Sequence, residues 1–442
     1  MSQVRSESSA SERDGEDPTT ARPGFLRRHV IDISPLRRYP AYRRLFLGTQ
    51  VSNIGVQFTA IAVPVQIYAD TGSSVWVGLL GLAALIPLVV FSIWGGAVAD
   101  AVDRRKLLLG SSLLMWAITL ALLLQAVLGL RSPALLLALT AGQATAFALS
   151  WPTRGAIIPR LVGKADLPAA NTLHTTVFSF AGVIGPLAAG VLIANAPIAW
   201  AYAIDALAFT VVLWATVRLP PIPPQSQGAE QPDAKRRRIA GWSEVSEGLR
   251  YIWTTPVLLL SFAIDIAAMV LALPRAIFPE VADERFGAGA IGWLYASIAI
   301  GSVVAGLTSG WIGRVRRQGV ALVASVVVWG LAVGAAGLAH SLWLAVFLLA
   351  VGGAADLISA VYRQTILQTY APDELQGRLQ GVFLAVVAGG PRLGDLRAGV
   401  TAGLVGPTVA WVGGGVAAAV VATILAIAFP ALIRYTPASA QR

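Results

Sequence analysis

Seven charged residues sit where charge is most expensive: Asp205, Asp265, Arg275, Asp356, Arg392, Asp395 and Arg397 interrupt stretches otherwise made of Ala, Leu, Val, Ile, Gly and aromatics. An ionised side chain at the centre of a hydrocarbon layer costs at least about 2.5 to 3.5 kcal/mol, so each must face a partner or water. The chemistry open to a sheltered carboxylate is proton exchange. Desolvation favours the neutral acid and a nearby cation favours the ionised one, so a small change of surroundings moves a proton. Asp265 and Asp356 fall nearest the middle of their segments and are the foremost proton-coupling candidates. Asp395 lies within a turn of Arg392 and Arg397, which suits a structural ion pair as well as proton carriage.

The polar residues around them suggest a cavity. Gln50, Asn53, Gln57 and Gln66 punctuate the first apolar stretch, and such amides either bond across helices or line a passage. Gln57, Gln66, Arg275 and Arg392 are the substrate-cavity candidates. Gln66 and Arg275 each lie close to a proline, Pro64 and Pro274, and Arg275 favours an anionic solute. His174, near the start of its segment, reads as a structural histidine.

Composition identifies the elements that must position these groups. Of 442 residues, 56% are hydrophobic and 13% charged, too little charge for a water-facing surface. Charge-poor stretches long enough to cross about 30 Å of hydrocarbon run over 45–68, 77–99, 107–130, 133–158, 168–194, 198–217, 256–279, 289–311, 318–339, 341–368, 377–403 and 406–431. The expectation is an all-α membrane protein with twelve transmembrane helices. Residues 1–35, rich in Ser, Glu, Asp and Arg, read as a disordered tail rather than a signal peptide.

The basic residues orient the chain. Of 33 Lys and Arg, Arg131 and Arg285 fall in loops on one side and Arg275, Arg392 and Arg397 within spans. Most of the rest occupy the termini and the loops of the other side, which puts both ends in the cytoplasm. The net charge of +10 then reflects insertion topology and not nucleic-acid binding. "GGAVADAVDRRKLLL" (95–109) is one such cytoplasmic loop, where Arg104, Arg105 and Lys106 fix its side and leave Asp100 and Asp103 to be explained. With no Cys, no Gly-rich phosphate loop, no His-Glu-x-x-His and no Gly-x-Ser-x-Gly, an enzyme, a metal site or a cofactor is not expected.

An internal repeat supplies the architecture. "AVPVQIY" (62–68) pairs with "ALPRAIF" (272–278), the loop 95–105 with "SGWIGRVRR" (309–317), and "RGAIIPRLVGKADL" (154–167) with "RQTILQTYAPDEL" (363–375). Matches in register imply a duplicated six-helix unit, with residues 36–217 and 256–433 as the two bundles and 218–255 as a cytoplasmic connector. In that connector Val245, Leu249, Ile252 and Trp253 make one apolar face of a helix on the membrane surface. Residues 434–442 form a cytoplasmic tail. Two such halves place a cavity between them near the midplane.

At this point the chain resembles the major facilitator superfamily. The loop matches the superfamily's cytoplasmic signature through Gly96, Val98, Ala99, Asp100, Arg104 and Arg105, departing at Ala101 and Asp103. The Asp-Arg-Arg variant, with 42–55, 157–173, 291–310 and 375–381, is similar to the drug:proton antiporter branch of enterobactin and macrolide exporters. The resemblance implies that Gly96, Asp100, Asp103, Arg104 and Arg105 gate the cytoplasmic face, with Asp100 as a latch onto a helix N-terminus of the other half. It implies a packing role for Gly185, Pro186 and Gly190 in an antiporter-type helix, against Gly301, Ala305, Gly306 and Gly310 of the eighth helix, and a packing or bridging role for Asp205. The function expected is proton-driven export of an amphipathic small molecule, a siderophore or a drug, by alternating access in the inner (plasma) membrane. The partners are that solute, protons and the bilayer, and the chain acts as a monomer. A transporter-fold sensor or scaffold is the alternative.

Overall fold

The computed structural model describes residues 32–101, 103–163, 165–222, 247–372 and 375–435; the expected tails and most of the connector lie outside the described residues. A short helix, Ser34–Arg38, leads into α1 (Pro40–Thr71), α2 (Ser74–Ala101), α3 (Arg104–Val127), α4 (Pro133–Leu161), α5 (Leu167–Asn195) and α6 (Ala199–Val217). The second set is α7 (Pro256–Ala272), α8 (Ala290–Leu307), α9 (Gln318–Gly337), α10 (Leu342–Tyr370), α11 (Gln376–Val405) and α12 (Pro407–Ala428). No strand occurs among the described residues. Ten segments are long and apolar enough to cross a membrane. The two helices that are not are the most polar: α1 carries the four amides, and α11 carries Arg392, Asp395 and Arg397, at 32 and 30 residues.

Local chemistry sets the helix ends. Proline occupies the first turn of α1, α4, α5, α7 and α12, where its missing N–H is no loss. Asp103 caps α3 by accepting from the N–H groups of Arg105 and Lys106 at 2.8 and 3.3 Å. Gly72 ends α1 at φ 60°, donating to the Tyr68 carbonyl at 2.7 Å.

One expected span needs correction. The stretch 256–279 is not a single helix: α7 stops at Ala272, because Pro274 lacks an N–H and pushes Leu273 to an extended backbone, φ −68° and ψ 118°. A turn at Arg275–Ile277, a helical turn at Phe278–Val281 and a wide turn at Ala282–Phe286 follow. Two carbonyls freed at the break are taken by Arg397, which donates to Val270 at 3.1 Å and to Leu271, and also to Ala410 of α12 at 2.9 Å. Arg397 therefore caps a broken helix at its negative end and does not pair with Asp395.

The two halves repeat pair for pair. In the first, α1 packs on α5 and α6, α3 on α4 and α6, and α2 on α4; in the second, α7 packs on α11 and α12, α9 on α10 and α12, and α8 on α10. The halves meet along α2 with α11 and α5 with α8, two contacts related by the same symmetry. Six helices per half bring residues 32, 222, 247 and 435 to one side of the bundle, called here the terminal face. Residues 247–254 are helical there, with Ile252 buried, Leu249 and Trp253 exposed, and Tyr251 bonded to the Tyr370 carbonyl at 2.8 Å.

Candidate functional site

The space between the halves is shut at one end and open at the other. Away from the terminal face the helices touch at the backbone. A β-carbon at Gly292 of α8 would meet the Pro186 carbonyl oxygen at 2.6 Å and the Gly190 Cα at 3.0 Å; one at Gly78 of α2 would meet the Asp395 carbonyl oxygen at 2.9 Å and the Gly399 Cα at 3.1 Å. The Ser74 hydroxyl adds a hydrogen bond to Glu280 across the halves. On the α5–α8 side that contact is lost toward the terminal face. On α5 one heptad line runs through Asn171, Thr175, Phe178, Gly182, Gly185 and Ala189. Its last two members are buried and its first three exposed; Gly182, whose β-carbon would lie 3.8 Å from Ala299 of α8, marks where α5 and α8 part, and Phe178 stands exposed one turn beyond it.

The glycine pattern partly redirects the packing expected of α5. Gly190 and Pro186 do meet α8, but through Gly292. Gly301 instead lies against the Ala350 backbone of α10, and Gly185 makes room for Gln57, whose Cγ lies 2.6 Å from a β-carbon placed there. Of the candidates, Gln57 is thus a half-buried side chain wedged between α1 and α5.

The C-terminal half lines the gap with charge. Asp265 on α7 forms an ion pair with Arg363 on α10, both buried, and Asp356, two turns before Arg363, lies 4.0 Å from the same guanidinium while remaining 31% exposed. Arg275 lies near enough for its charge to act on Asp356 and Asp395. Arg392 and Asp395 stand 4.0 Å apart, the arginine 48% exposed, a distance too long for a tight pair. Tyr295 of α8 donates to the Arg275 carbonyl at 3.2 Å. Arg363 was not singled out from the sequence, although the repeat had already matched it to Arg154.

The N-terminal half hides its polar groups. Asp205 is buried between α6 and α1, accepting from the Thr59 hydroxyl at 2.5 Å. Gln66 does not line a cavity mouth as expected: its amide exchanges two 3.0 Å hydrogen bonds with Gln125 and accepts from Tyr202 at 2.7 Å. Three helices thus meet at a satisfied polar knot, which leaves that side chain nothing to offer a solute. Beside Asn171 and Thr175, what this half exposes is aromatic. Trp151 of α4 contacts Phe147 at 5.4 Å and Phe178 of α5 at 6.2 Å, and His174 lies parallel to Phe178 at 6.4 Å.

In the loop between α2 and α3, three groups bond within their own half. Asp103 is the cap of α3, Arg105 donates to the Val217 carbonyl at 2.5 Å, and the Arg104 N–H bonds the Ile222 carbonyl at 3.2 Å. The side chains of Gly96 and Asp100 lie outside the described residues.

Two symmetric six-helix halves around a gap open to one face, with buried charges on its wall, define a membrane transporter rather than an enzyme. The chain belongs to the transmembrane secretion effector family of the major facilitator superfamily, whose model matches residues 31–438. It is 29% identical over 417 residues to the Enterobactin exporter EntS of Shigella boydii, covering 92% of this chain and 96% of that protein. The crystal structure of the nucleoside transporter NupG has a TM-score of 0.67 at 16% identity, covering 90% of this chain and 100% of that one. A bacterial homologue of the human lysosomal transporter Spinster, inward-facing and unoccupied, has a TM-score of 0.66 at 16% identity, covering 91% and 97%.

Proposed function

We propose that the protein exports an amphipathic small molecule, a siderophore or a drug, across the plasma membrane by exchange for protons. The observation that carries this reading is Arg363 set between Asp265 and Asp356 on the wall of the gap. A guanidinium shared by two carboxylates makes protonation and conformation compete: a proton on Asp265 releases Arg363 toward Asp356, and loss of that proton draws it back. Arg392 and Asp395 lie on α11 at its contact with α2, and Arg275 stands in the turn that touches both helices, so a change in their pairing bears on the seam along which the halves rock. The enterobactin exporter resemblance and the basic terminal face support placing both termini in the cytoplasm, with the gap open to that side. In the opposite state Asp100 serves as the latch of the terminal face onto a helix N-terminus of the other half. Each chain holds a whole gap between its own halves, so a monomer suffices.

The driving force is adequate. One charge crossing 100 mV yields about 2.3 kcal/mol, roughly fifty-fold accumulation. The test is enterobactin movement in proteoliposomes with an imposed pH gradient. Uphill accumulation that collapses with a protonophore is expected; movement indifferent to the gradient would overturn antiport, and binding without movement would favour a sensor.

A further inference from the structure

The repeat that pairs Arg154 of α4 with Arg363 of α10 exposes a difference in how the two guanidiniums are kept. Seven residues before Arg363 stands Asp356, and Asp265 faces it from α7; seven residues before Arg154 stands Phe147. No carboxylate pairs with Arg154 among the described residues, and its Nε is shut off from solvent with no hydrogen-bond partner. A guanidinium left like this inside a membrane protein calls for an anion to complete it. Its surroundings say what else the anion carries. Trp151, one turn away, is 42% exposed and Phe178 is 45% exposed, and both belong to the ring cluster with Phe147 and His174. The charge of Arg154 reaches His174, so the guanidinium and the rings share one pocket wall. Phe178 is exposed one turn beyond Gly182, the glycine that faces Ala299 of α8, which sets that wall where the two halves part.

We propose that Arg154, Trp151, His174 and Phe178 form a recognition subsite for an aromatic ring bearing an acidic group, the end of the transported molecule that this half of the gap engages. The ring stacks between Trp151 and Phe178 and its anionic substituent takes the free donors of Arg154. This rests on the transport reading above, but it assigns recognition to the N-terminal half, apart from the Asp265–Arg363–Asp356 group.

Full-length protein in lipid nanodiscs is titrated by equilibrium dialysis with β-naphthoate, an aryl carboxylate, and with β-naphthol, the same rings uncharged at neutral pH. Saturable naphthoate binding is expected to weaken about tenfold to a hundredfold in Arg154→Gln, the range of a charge-assisted hydrogen bond, and to return in part in Arg154→Lys. Naphthol binding stays unchanged in Arg154→Gln, which also reports that the wall is intact, and Trp151→Ala weakens both ligands. Should Arg154→Gln fail to insert, Arg154→Lys decides: its naphthoate affinity must fall while naphthol holds. Equal naphthoate binding by wild type and the Arg154 variants, or none to wild type, overturns the proposal. Proteoliposome enterobactin antiport on the same preparations separates the two readings. Antiport without naphthoate discrimination removes only this subsite; Arg154-dependent binding without gradient-driven movement removes antiport and leaves the subsite.

Discussion

In the N-terminal half the aromatics Phe147, Trp151 and Phe178 stand exposed near Asn171 and Thr175, and the acid Asp205 is sunk between α1 and α6 against Thr59. The C-terminal half, with the same helix contacts in the same order, presents Arg275, Asp356, Arg392 and Asp395, with the Asp265–Arg363 pair behind them. The two halves share a frame and differ in lining. Duplication conserves what packs helices together, whereas single exchanges at matched positions, such as Phe147 against Asp356, decide which half carries paired charges and which carries exposed rings.

That division is broken most severely by removing the titrating acid. Asp265→Asn is expected to take gradient-driven enterobactin accumulation from up to roughly fifty-fold to none without loss of membrane insertion, and Asp356→Asn to act in the same direction. Transport retained in both variants would move coupling out of the C-terminal half. Next in size is stability. Arg363→Gln strands a buried carboxylate and should lower unfolding stability in detergent by about 3 to 5 kcal/mol, with most of it recovered when combined with Asp265→Asn. Arg154→Gln strands no partner and should not destabilise, so equal losses at 154 and 363 would erase the contrast between the arginines.

The seam between the halves gives a smaller effect. Gly292→Val drives a side chain into the Pro186 carbonyl and should destabilise by about 1 to 3 kcal/mol and slow transport, while Gly306→Ala, whose β-carbon would sit 3.6 Å from Leu357, should be near neutral. Thermal unfolding and flux on both variants measure this. The least effect is expected at Asp205→Asn, about 1 kcal/mol of stability from a weakened bond to Thr59 with antiport retained; loss of antiport there would return proton coupling to the N-terminal half.

The helices were legible because burial in lipid demands long uncharged segments, and their order followed from the repeat. The intramembrane acids were legible for the same reason, since charge stands out against so apolar a background. Partners were not. Gln66 and Gln57 look alike on one helix, yet one closes a knot with Gln125 and Tyr202 and the other wedges against Gly185, a distinction set by how α1 rotates between its neighbours. Arg363 passed as an ordinary match in the repeat because nothing local to α10 announces that Asp265, almost a hundred residues earlier, will lie beside it. The break at Pro274 was hidden by the apolar residues that continue past it.

By itself the amino-acid sequence determined that this is a twelve-helix membrane protein, duplicated, with basic loops gathered on one side, because hydropathy, charge placement and internal repetition act along the chain and need no knowledge of contacts. Only the tertiary structure decided which charges neutralise one another, which glycines form the seam and at which face the gap opens. Those depend on helix rotation and on approach between residues distant in sequence, where a turn of about 100° per residue exchanges a cavity wall for a packed core.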